Sequence, residues 1–252
     1  MTKIAIWKFT SCDGCQLSLL DLEEDLLEIA KHFEISYFLE ASSKRADPPY
    51  DISLVEGSIT TEEAKRKIMD IRAQSKYLVT IGACATAGGI QALRNFASLQ
   101  SFKQRVYPRP EVIDVLPTSL PISHYVRVDY ELQGCPINKL QLLQLLYSYS
   151  RDLRPSFSSG SVCMECKRRA IPCVMVASKT LCLGPVTHGG CGAICPSFGR
   201  GCYGCYGPKE TPNSASLCQW AKDELDFDPL ALDHAFKKFY CIAEGFKLSH
   251  ES

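Results

Sequence analysis

The sequence predicts an α/β domain with a parallel sheet, followed by a smaller, irregular region rich in cysteine. Up to about residue 150, short apolar runs alternate with stretches of helical periodicity, the pattern of a parallel sheet covered by helices. Beyond a Ser/Pro-rich linker at 148–160, eight of the chain's 14 cysteines fall among glycines and prolines. We therefore expect two domains, at 1–150 and 151–252.

Five short runs predict the strands. The fourth, Tyr77–Gly82, has almost no polar face, which is typical of a strand buried on both sides. The first run ends at a Cys/Gly turn, and the last precedes Cys135. The predicted strands are Lys3–Phe9, Glu34–Leu39, Asp51–Gly57, Tyr77–Gly82 and Tyr125–Tyr130.

Helical periodicity predicts the intervening elements. From 17 to 33, apolar residues recur every three or four positions, at Leu19, Leu22, Leu26, Ile29 and Phe33. A Thr/Glu capping pattern opens the second helix, and Pro136 stands at the first turn of the third. The predicted helices are 17–33, 60–75, 137–149, 216–225 and 229–245.

Composition excludes several classes of function. Lys+Arg and Asp+Glu both number 28 in the 252 residues, so charge gives no reason to expect nucleic acid or an anionic membrane as partner. No apolar run is long enough to span a bilayer, and the N-terminus has no signal-peptide pattern. We therefore expect a cytoplasmic protein, in which clustered thiols stay reduced and hold metal instead of forming disulfides.

Four cysteines stand at the ends of predicted strands. Because the carboxyl ends of parallel strands meet at one edge of a sheet, residues more than a hundred positions apart can form one four-thiolate site there. A local zinc knuckle takes its ligands from one short segment and does not need residues so far apart in the chain. This first set is Cys12, Cys15, Cys84 and Cys135.

The later cysteines form two further sets of four. Neither spacing is that of a zinc ribbon, and the Gly-rich turns with "CP" at Cys195–Pro196 resemble ferredoxin loops. Twelve thiolates in three sets predict three [4Fe–4S] clusters, with structural zinc as the alternative. A Cys before Pro can ligate a neighbouring cluster, so the division between Cys182 and Cys195 stays open. The sets are Cys163, Cys166, Cys173 and Cys182, then Cys191, Cys195, Cys202 and Cys205.

The remaining candidate residues and motifs indicate less about function. Cys218 and Cys241 stand alone on predicted helices and are expected to be small buried side chains. Glu56 at a strand end is either a solvated carboxylate or part of a proton relay. The basic run 167–169 is either ordinary surface or a docking point for an acidic electron partner. The "GACATAGG" loop lacks the lysine of a phosphate-binding loop.

Taken together, several motifs resemble the small subunit of a [NiFe]-hydrogenase. They are "TSCDGCQLSLLD", "VEGSI", "IGACATAGGIQ", "GCP", "CLGPVT", "GCGAICP" and "GCYGCYGP". The resemblance extends to about Pro208 and is strongest to the cytoplasmic type, such as the delta subunit of sulfhydrogenase and NAD(P)- or F420-linked enzymes. It implies a flavodoxin-like domain holding a proximal cluster, then a Cys-rich iron–sulfur domain with medial and distal clusters.

The resemblance also implies roles and partners. Cys12, Cys15, Cys84 and Cys135 would be proximal, the set from Cys191 to Cys205 medial, and the set from Cys163 to Cys182 distal. Cys163 stands where membrane-bound members have a distal His, and Cys195 adds a medial thiolate that they lack. The nickel–iron site would lie in a large subunit, and flavin/iron–sulfur subunits would accept electrons. A cluster-bearing subunit of a complex-I-related oxidoreductase is the alternative; it would resemble only the first domain.

Overall fold

The computed structural model describes residues 1–23, 25, 29, 31–157 and 159–248. It divides into two compact units, Met1–Pro155 and Ser156–Ser252. The division falls inside the predicted linker, five residues beyond the predicted boundary. In the described part of the chain, no helix is both long enough and apolar enough to cross a membrane.

A five-stranded parallel sheet forms the centre of the first unit, so the predicted α/β class is confirmed. The strand order is β2-β1-β3-β4-β5, which is the flavodoxin-like order. In such a sheet the chain reverses its direction of winding between β1 and β3, and the crevice there is the usual ligand site. The strands are β1 Thr2–Lys8, β2 Phe33–Phe38, β3 Tyr50–Glu56, β4 Ser75–Ile81 and β5 Tyr130–Leu132.

The central strands form because they are apolar on both faces. Ile52, Leu54 and Val55 of β3 and Leu78 and Val79 of β4 are fully buried. Parallel strands covered by helices on both sides require such continuous apolar runs. The sheet therefore holds its carboxyl edge rigidly, and the loops at that edge inherit this rigidity.

Five α-helices accompany the sheet among the described residues of the first unit. Thr61 caps the second of them by accepting the Ala64 N–H at 3.1 Å, as the capping pattern predicts. Three short 3₁₀ turns, at Ile90–Phe96, Pro110–Val112 and Ile122–His124, lie between β4 and β5. The helices are α1 Gly14–Leu20, α2 Glu62–Ala73, α3 Gly82–Ala87, α4 Leu99–Val106 and α5 Lys139–Ser150.

Three sequence predictions need correction in this unit. Phe33 continues the helical spacing of its predecessors but is the first residue of β2, where it is buried; Leu26, in the same predicted helix, lies outside the described residues. The last strand begins at Tyr130 instead of Tyr125, because the apolar residues before it pack on the core from a loop. Pro136 precedes the first turn of α5, whose N-cap is Asn138.

The second unit is built from short helices and turns. Its cysteine-bearing part, up to residue 208, has α6 Val162–Arg168, α7 Val174–Ser178 and α8 Ile194–Ser197, joined by loops. The tail has α9 Ser214–Leu225 and α10 Pro229–Phe236. The last predicted helix is too long: α10 ends at Phe236, and the described residues after it, up to 248, include a 3₁₀ turn at Glu244–Phe246 but no further α-helix.

Candidate metal centres

All fourteen cysteines are free. Four of them lie on the loops and short helices that follow strands of the parallel sheet. Cys12 and Cys15 follow β1, with Cys15 in α1; Cys84 lies in α3 directly after β4; and Cys135 follows β5. The topology therefore brings the predicted first set to one edge of the sheet, beside the β1/β3 crevice.

The four thiols are close enough to influence one another. Burial raises the pKa of the Cys135 thiol to about 11, and Cys84 and Cys12 add to the rise. Burial likewise raises the pKa of Cys84, again with a contribution from Cys12. For Cys15 burial is the main cause of a raised pKa, followed by Glu56, with smaller contributions from Cys135 and Cys84. Like charges at short range have this effect, so the four sulfurs face a common space.

A glycine beside one of these thiols has no room for a side chain. Gly82, which joins β4 to α3, has a φ of +83°, and a Cβ there would collide with Cys15 Sγ. Only glycine combines this backbone conformation with so close an approach to sulfur. The glycine after β4 is therefore part of the site.

Two polar side chains support the same site. Glu56, 2% exposed at the end of β3, accepts the backbone N–H groups of Cys15 and Gln16, both at 3.2 Å. Burial raises the pKa of the Glu56 carboxyl, and these two N–H donors oppose the rise. Gln91 places its Nε2 3.4 Å from Cys84 Sγ and 2.7 Å from the Thr10 carbonyl oxygen. Of the two interpretations of Glu56 left open by the sequence, the solvated carboxylate is therefore wrong.

In the second unit, the four cysteines of the set from Cys163 to Cys182 line one cavity of about 130 Å³. Burial raises the pKa of the Cys163 thiol to about 11, and Cys182, Cys166 and Cys173 each raise it further. A Cβ at Gly184 would lie 3.2 Å from Cys182 Sγ and 3.5 Å from Cys163 Sγ. These four thiols therefore surround a single space.

Backbone N–H groups point at the sulfur of Cys182. Gly184 N lies 3.4 Å from it and Cys202 N lies 3.1 Å from it. N–H donors of this kind stabilise thiolates and tune the potential of iron–sulfur clusters. The second donor comes from a cysteine of the other set, so the two sets adjoin.

The other set is Cys191, Cys195, Cys202 and Cys205, of which Cys195 lies in α8 and the other three lie in Gly-rich loops. Burial raises the pKa of Cys202, and Cys182 of the adjoining set and then Cys205 add to the rise. Burial also raises the pKa of Cys191, to which Glu165 and Cys195 add. Burial raises the pKa of Tyr206 too, with contributions from Cys191 and Cys205, so one phenol faces both ends of the set.

The donor chemistry of all three sets fits four-iron clusters. Each offers four thiols, and each has a backbone or amide N–H near sulfur, as in the 3.5 Å approach of Gly204 N to Cys202 Sγ. Within the described ranges, no group of three or more His, Cys, Asp or Glu is spaced to hold a single metal ion.

Two supporting residues are not predicted from the sequence. Gln91 lies seven positions after Cys84 in the "IGACATAGGIQ" motif and contacts its sulfur. Glu165 lies between Cys163 and Cys166 but contacts the loop of Cys191. A carboxylate inside a C-x2-C spacing is the one signal that could have drawn attention to Glu165. Cys218 and Cys241 are buried, as expected.

Comparisons with known proteins agree with this chemistry. A family model described as NADH ubiquinone oxidoreductase, 20 Kd subunit, matches residues 12–149. Sulfhydrogenase 2 subunit delta of Pyrococcus furiosus is 35% identical over 229 residues, which make up 91% of this chain and 96% of that protein. The chain belongs to the family of hydrogenase small subunits. The resemblance seen in the sequence is therefore confirmed.

Other members of the hydrogenase family support the assignment. One subunit of the F420-non-reducing hydrogenase vhu of Methanococcus voltae is 34% identical over 239 residues, covering 81% of this chain and 82% of that protein. In a solved NAD⁺-reducing [NiFe]-hydrogenase, one chain superposes with a TM-score of 0.57 at 26% identity, covering 62% of this chain and 95% of that one. The match to sulfhydrogenase delta extends well beyond the first unit, whereas the 20 Kd family model is confined to it.

Proposed function

We propose that this chain is the electron-transfer subunit of a [NiFe]-hydrogenase and holds three [4Fe–4S] clusters. The observation that carries the proposal is that four cysteines follow strands at one sheet edge and four others line one cavity of the Cys-rich unit, with four more cysteines in the adjoining loops and α8. No catalytic residue is assigned to this chain. Oxidation of H₂ or reduction of protons belongs to a nickel–iron site on the large subunit.

The proposed ligands follow the three sets. Cys12, Cys15, Cys84 and Cys135 hold the proximal cluster. The set from Cys191 to Cys205 holds the medial cluster, and the set from Cys163 to Cys182 holds the distal one. When bound, the three clusters would carry single electrons between the large subunit and the acceptor in that order. The protein keeps these groups in dry, rigid sites lined by N–H donors, where their potentials can be set.

An exposed apolar groove beside the proximal set supports a large-subunit partner. The groove, of about 410 Å³, is formed mainly by the 3₁₀ turn at Ile90–Phe96 and by α4. Ile90 and Val106 expose 54% and 65% of their surface. Gln91, which contacts Cys84 Sγ, lines the same groove. Contiguous exposed apolar surface marks a protein interface, and this one adjoins the thiols that a nickel–iron subunit must approach.

The distal set has the features of an exit to an acceptor. Cys173 is exposed, and Val176, on the helix that follows it, is 79% exposed. The basic run 167–169 lies on α6 and its C-terminal cap, next to Cys166. Basic side chains around an exposed ligand suit an acidic flavin/iron–sulfur subunit. A cytoplasmic location is part of the proposal, because thiols must stay reduced to receive iron.

One observation favours a second candidate. The family model over residues 12–149 is described by a complex-I subunit, which favours a role in a related oxidoreductase that does not act on H₂. Such a subunit would need only the proximal set, so the iron content distinguishes the two candidates.

The deciding experiment is performed on the complex purified anaerobically through a tag on this chain. Iron and sulfide analysis should give about twelve atoms of each for this chain, as three four-iron clusters require, and H₂ should reduce all three in the electron paramagnetic resonance (EPR) spectrum. About four iron atoms and no response to H₂ would favour the second candidate. Stoichiometric zinc with no visible absorption would exclude both.

A further inference from the structure

Glu165 belongs to one cysteine set by position and to the other by contact. It lies in α6 between Cys163 and Cys166. Its carboxylate, however, accepts the backbone N–H of Gly190 at 2.8 Å and that of Ala193 at 3.1 Å. These two N–H groups flank Cys191. Glu165, from the segment of the proposed distal set, therefore holds by hydrogen bonds the loop that carries the proposed medial ligand Cys191.

The same carboxylate lies beside sulfur. Glu165 Oε2 is 3.8 Å from Cys191 Sγ. Two backbone N–H groups directed at the carboxylate fit an ionised acceptor. A full negative charge at this distance from a cluster ligand opposes the addition of an electron to that cluster, because reduction increases the cluster's own negative charge.

Competition for an N–H group also disfavours reduction of the cluster. The Ala193 N–H faces both Glu165 Oε2 and Cys191 Sγ. Hydrogen bonds to cluster sulfurs stabilise the reduced cluster, and an N–H group that is shared with a carboxylate stabilises it less. Charge and competition therefore both lower the potential.

We propose that Glu165 is a positioning residue that holds the Cys191 loop and keeps the reduction potential of the medial cluster low. The proposal rests on the proposed function, since it requires a cluster on Cys191, Cys195, Cys202 and Cys205. Reduction adds one electron to that cluster and no bond is made or broken. A low reduction potential places the medial cluster close to the potentials of strongly reducing electron carriers. Electrons can then pass through the cluster in either direction.

Arg169 supplies a matched control. It caps the same helix four residues later and donates from Nη1 to the Gly192 carbonyl oxygen, so it also holds the Cys191 loop. Its charge is opposite to that of Glu165. If Glu165 serves only to hold the loop, loss of either side chain should have the same effect. If its charge matters, the two losses should shift the potential in opposite directions, or Arg169→Gln should leave it unchanged.

The test is a redox titration of the purified complex, followed by EPR, for the wild type, Glu165→Gln and Arg169→Gln. The signal that a Cys202→Ser complex lacks identifies the medial cluster. Glu165→Gln should favour its reduction by about tenfold or more, which is about 59 mV for a one-electron couple. The proximal signal should not move, and Arg169→Gln should not raise the medial potential.

Each result has one meaning. A wild-type medial potential in an iron-replete Glu165→Gln complex overturns the inference, as does an equal rise in Arg169→Gln. If Glu165→Gln loses medial iron, Glu165→Asp decides, because it keeps the charge. Retained iron with a low potential in Glu165→Asp supports the proposal, and loss of iron there too makes the role purely structural and overturns it. A wild-type complex without three cluster signals would instead refute the proposed function.

Discussion

The carboxylate of Glu56 accepts the backbone N–H of Cys15, with 3.2 Å between Oε1 and the nitrogen. Its second oxygen accepts the N–H of Gln16, also at 3.2 Å. Glu56 ends β3, whereas Cys15 lies in α1 after β1. A single buried side chain thus fixes the turn that carries Cys12 and Cys15 to the neighbouring strand at the crevice.

Removal of this carboxylate should empty the proximal site. Glu56→Ala leaves two buried N–H groups without an acceptor, at a cost of about 1–3 kcal/mol for each. We expect iron to fall from about twelve to about eight atoms for this chain, a loss of one four-iron cluster. Glu56→Gln, which keeps one acceptor oxygen, should retain most of the iron. Metal analysis of the purified complexes provides the measurement.

Glu131 offers the matched control for that experiment. Burial raises the pKa of its carboxyl too, but it lies in β5 and Ser123 is its hydrogen-bond partner. Glu131→Ala should therefore keep all of its iron. Equal iron loss in the two alanine variants would mean that any buried carboxyl at this sheet matters, and would refute a specific role for Glu56.

The edge strand that leads to Cys135 depends on Asp129. Its Oδ2 accepts from Arg72 Nη1 at 2.5 Å and from the Leu78 N–H at 2.8 Å, with both side chains about four-fifths buried. Asp129→Ala removes the carboxylate partner of a mostly buried guanidinium, which keeps its bonds to the Ser75 and Lys76 carbonyl oxygens, and leaves a β4 N–H unpaired. We expect a loss of about 1–3 kcal/mol, which lowers Tm by about 2–10 °C for a chain of this size.

The exposed ion pair between Lys76 and Asp152 is the control for Asp129. Its atoms are as close, at 2.5 Å, but both side chains are more than half exposed. Solvent screens such pairs, so Asp152→Asn, which suits the positive φ of 56° at this position, should leave Tm unchanged. Thermal unfolding followed by circular dichroism compares the two variants. Similar Tm values for both would show that Asp129 contributes no more than a surface charge.

The groove beside the proximal set should be covered by the large subunit. Val106→Asp and Ile90→Asp place a charge on this surface and should reduce recovery of the large subunit with the tagged chain by tenfold or more, because a buried unpaired charge is costly. Without the large subunit this apolar surface would face water, so the chain alone should be poorly soluble. Leu230→Asp, on α10 and 61% exposed, is the control. Full recovery of the large subunit with Val106→Asp would rule out this groove as the interface.

The sequence anticipates the parts of this molecule that depend on local patterns. Continuous apolar runs predict β3 and β4 closely, and turn-flanked cysteines predict the thiols that meet at the sheet edge. The pattern fails where tertiary packing decides. Phe33 extends a helical spacing and yet starts β2, while Val126 and Val128 alternate like a strand but pack on the core from a loop.

The supporting residues of the sites are harder to predict. Glu56 and Glu165 each act on a cysteine from a different segment of the chain, and Gln91 links Cys84 of its own segment to the Thr10 carbonyl of another. No local periodicity encodes such a contact, because the loop geometry brings the two segments together. The division of the later cysteines is likewise open in the sequence, since Cys182 is as near to the following set in the chain as to its own.

The two later sets should hold separate clusters, with the set from Cys163 to Cys182 nearer the acceptor. Cys166 and Cys173 line the same cavity, so Cys166→Ser and Cys173→Ser should each remove one and the same cluster, with a loss of about four iron atoms. Cys218→Ala, which changes a buried cysteine outside the three sets, should lose none.

In the Cys166→Ser complex, H₂ should still reduce the proximal and medial clusters, but reduction of the natural acceptor should fall at least a hundredfold. Tunnelling rates drop steeply with distance, so electrons held on the medial cluster have no efficient route out. Stopped-flow reduction by H₂ followed by EPR, together with an acceptor assay, measures both steps. Normal acceptor reduction in Cys166→Ser, combined with loss of only the final transfer in Cys202→Ser, would reverse the proposed order.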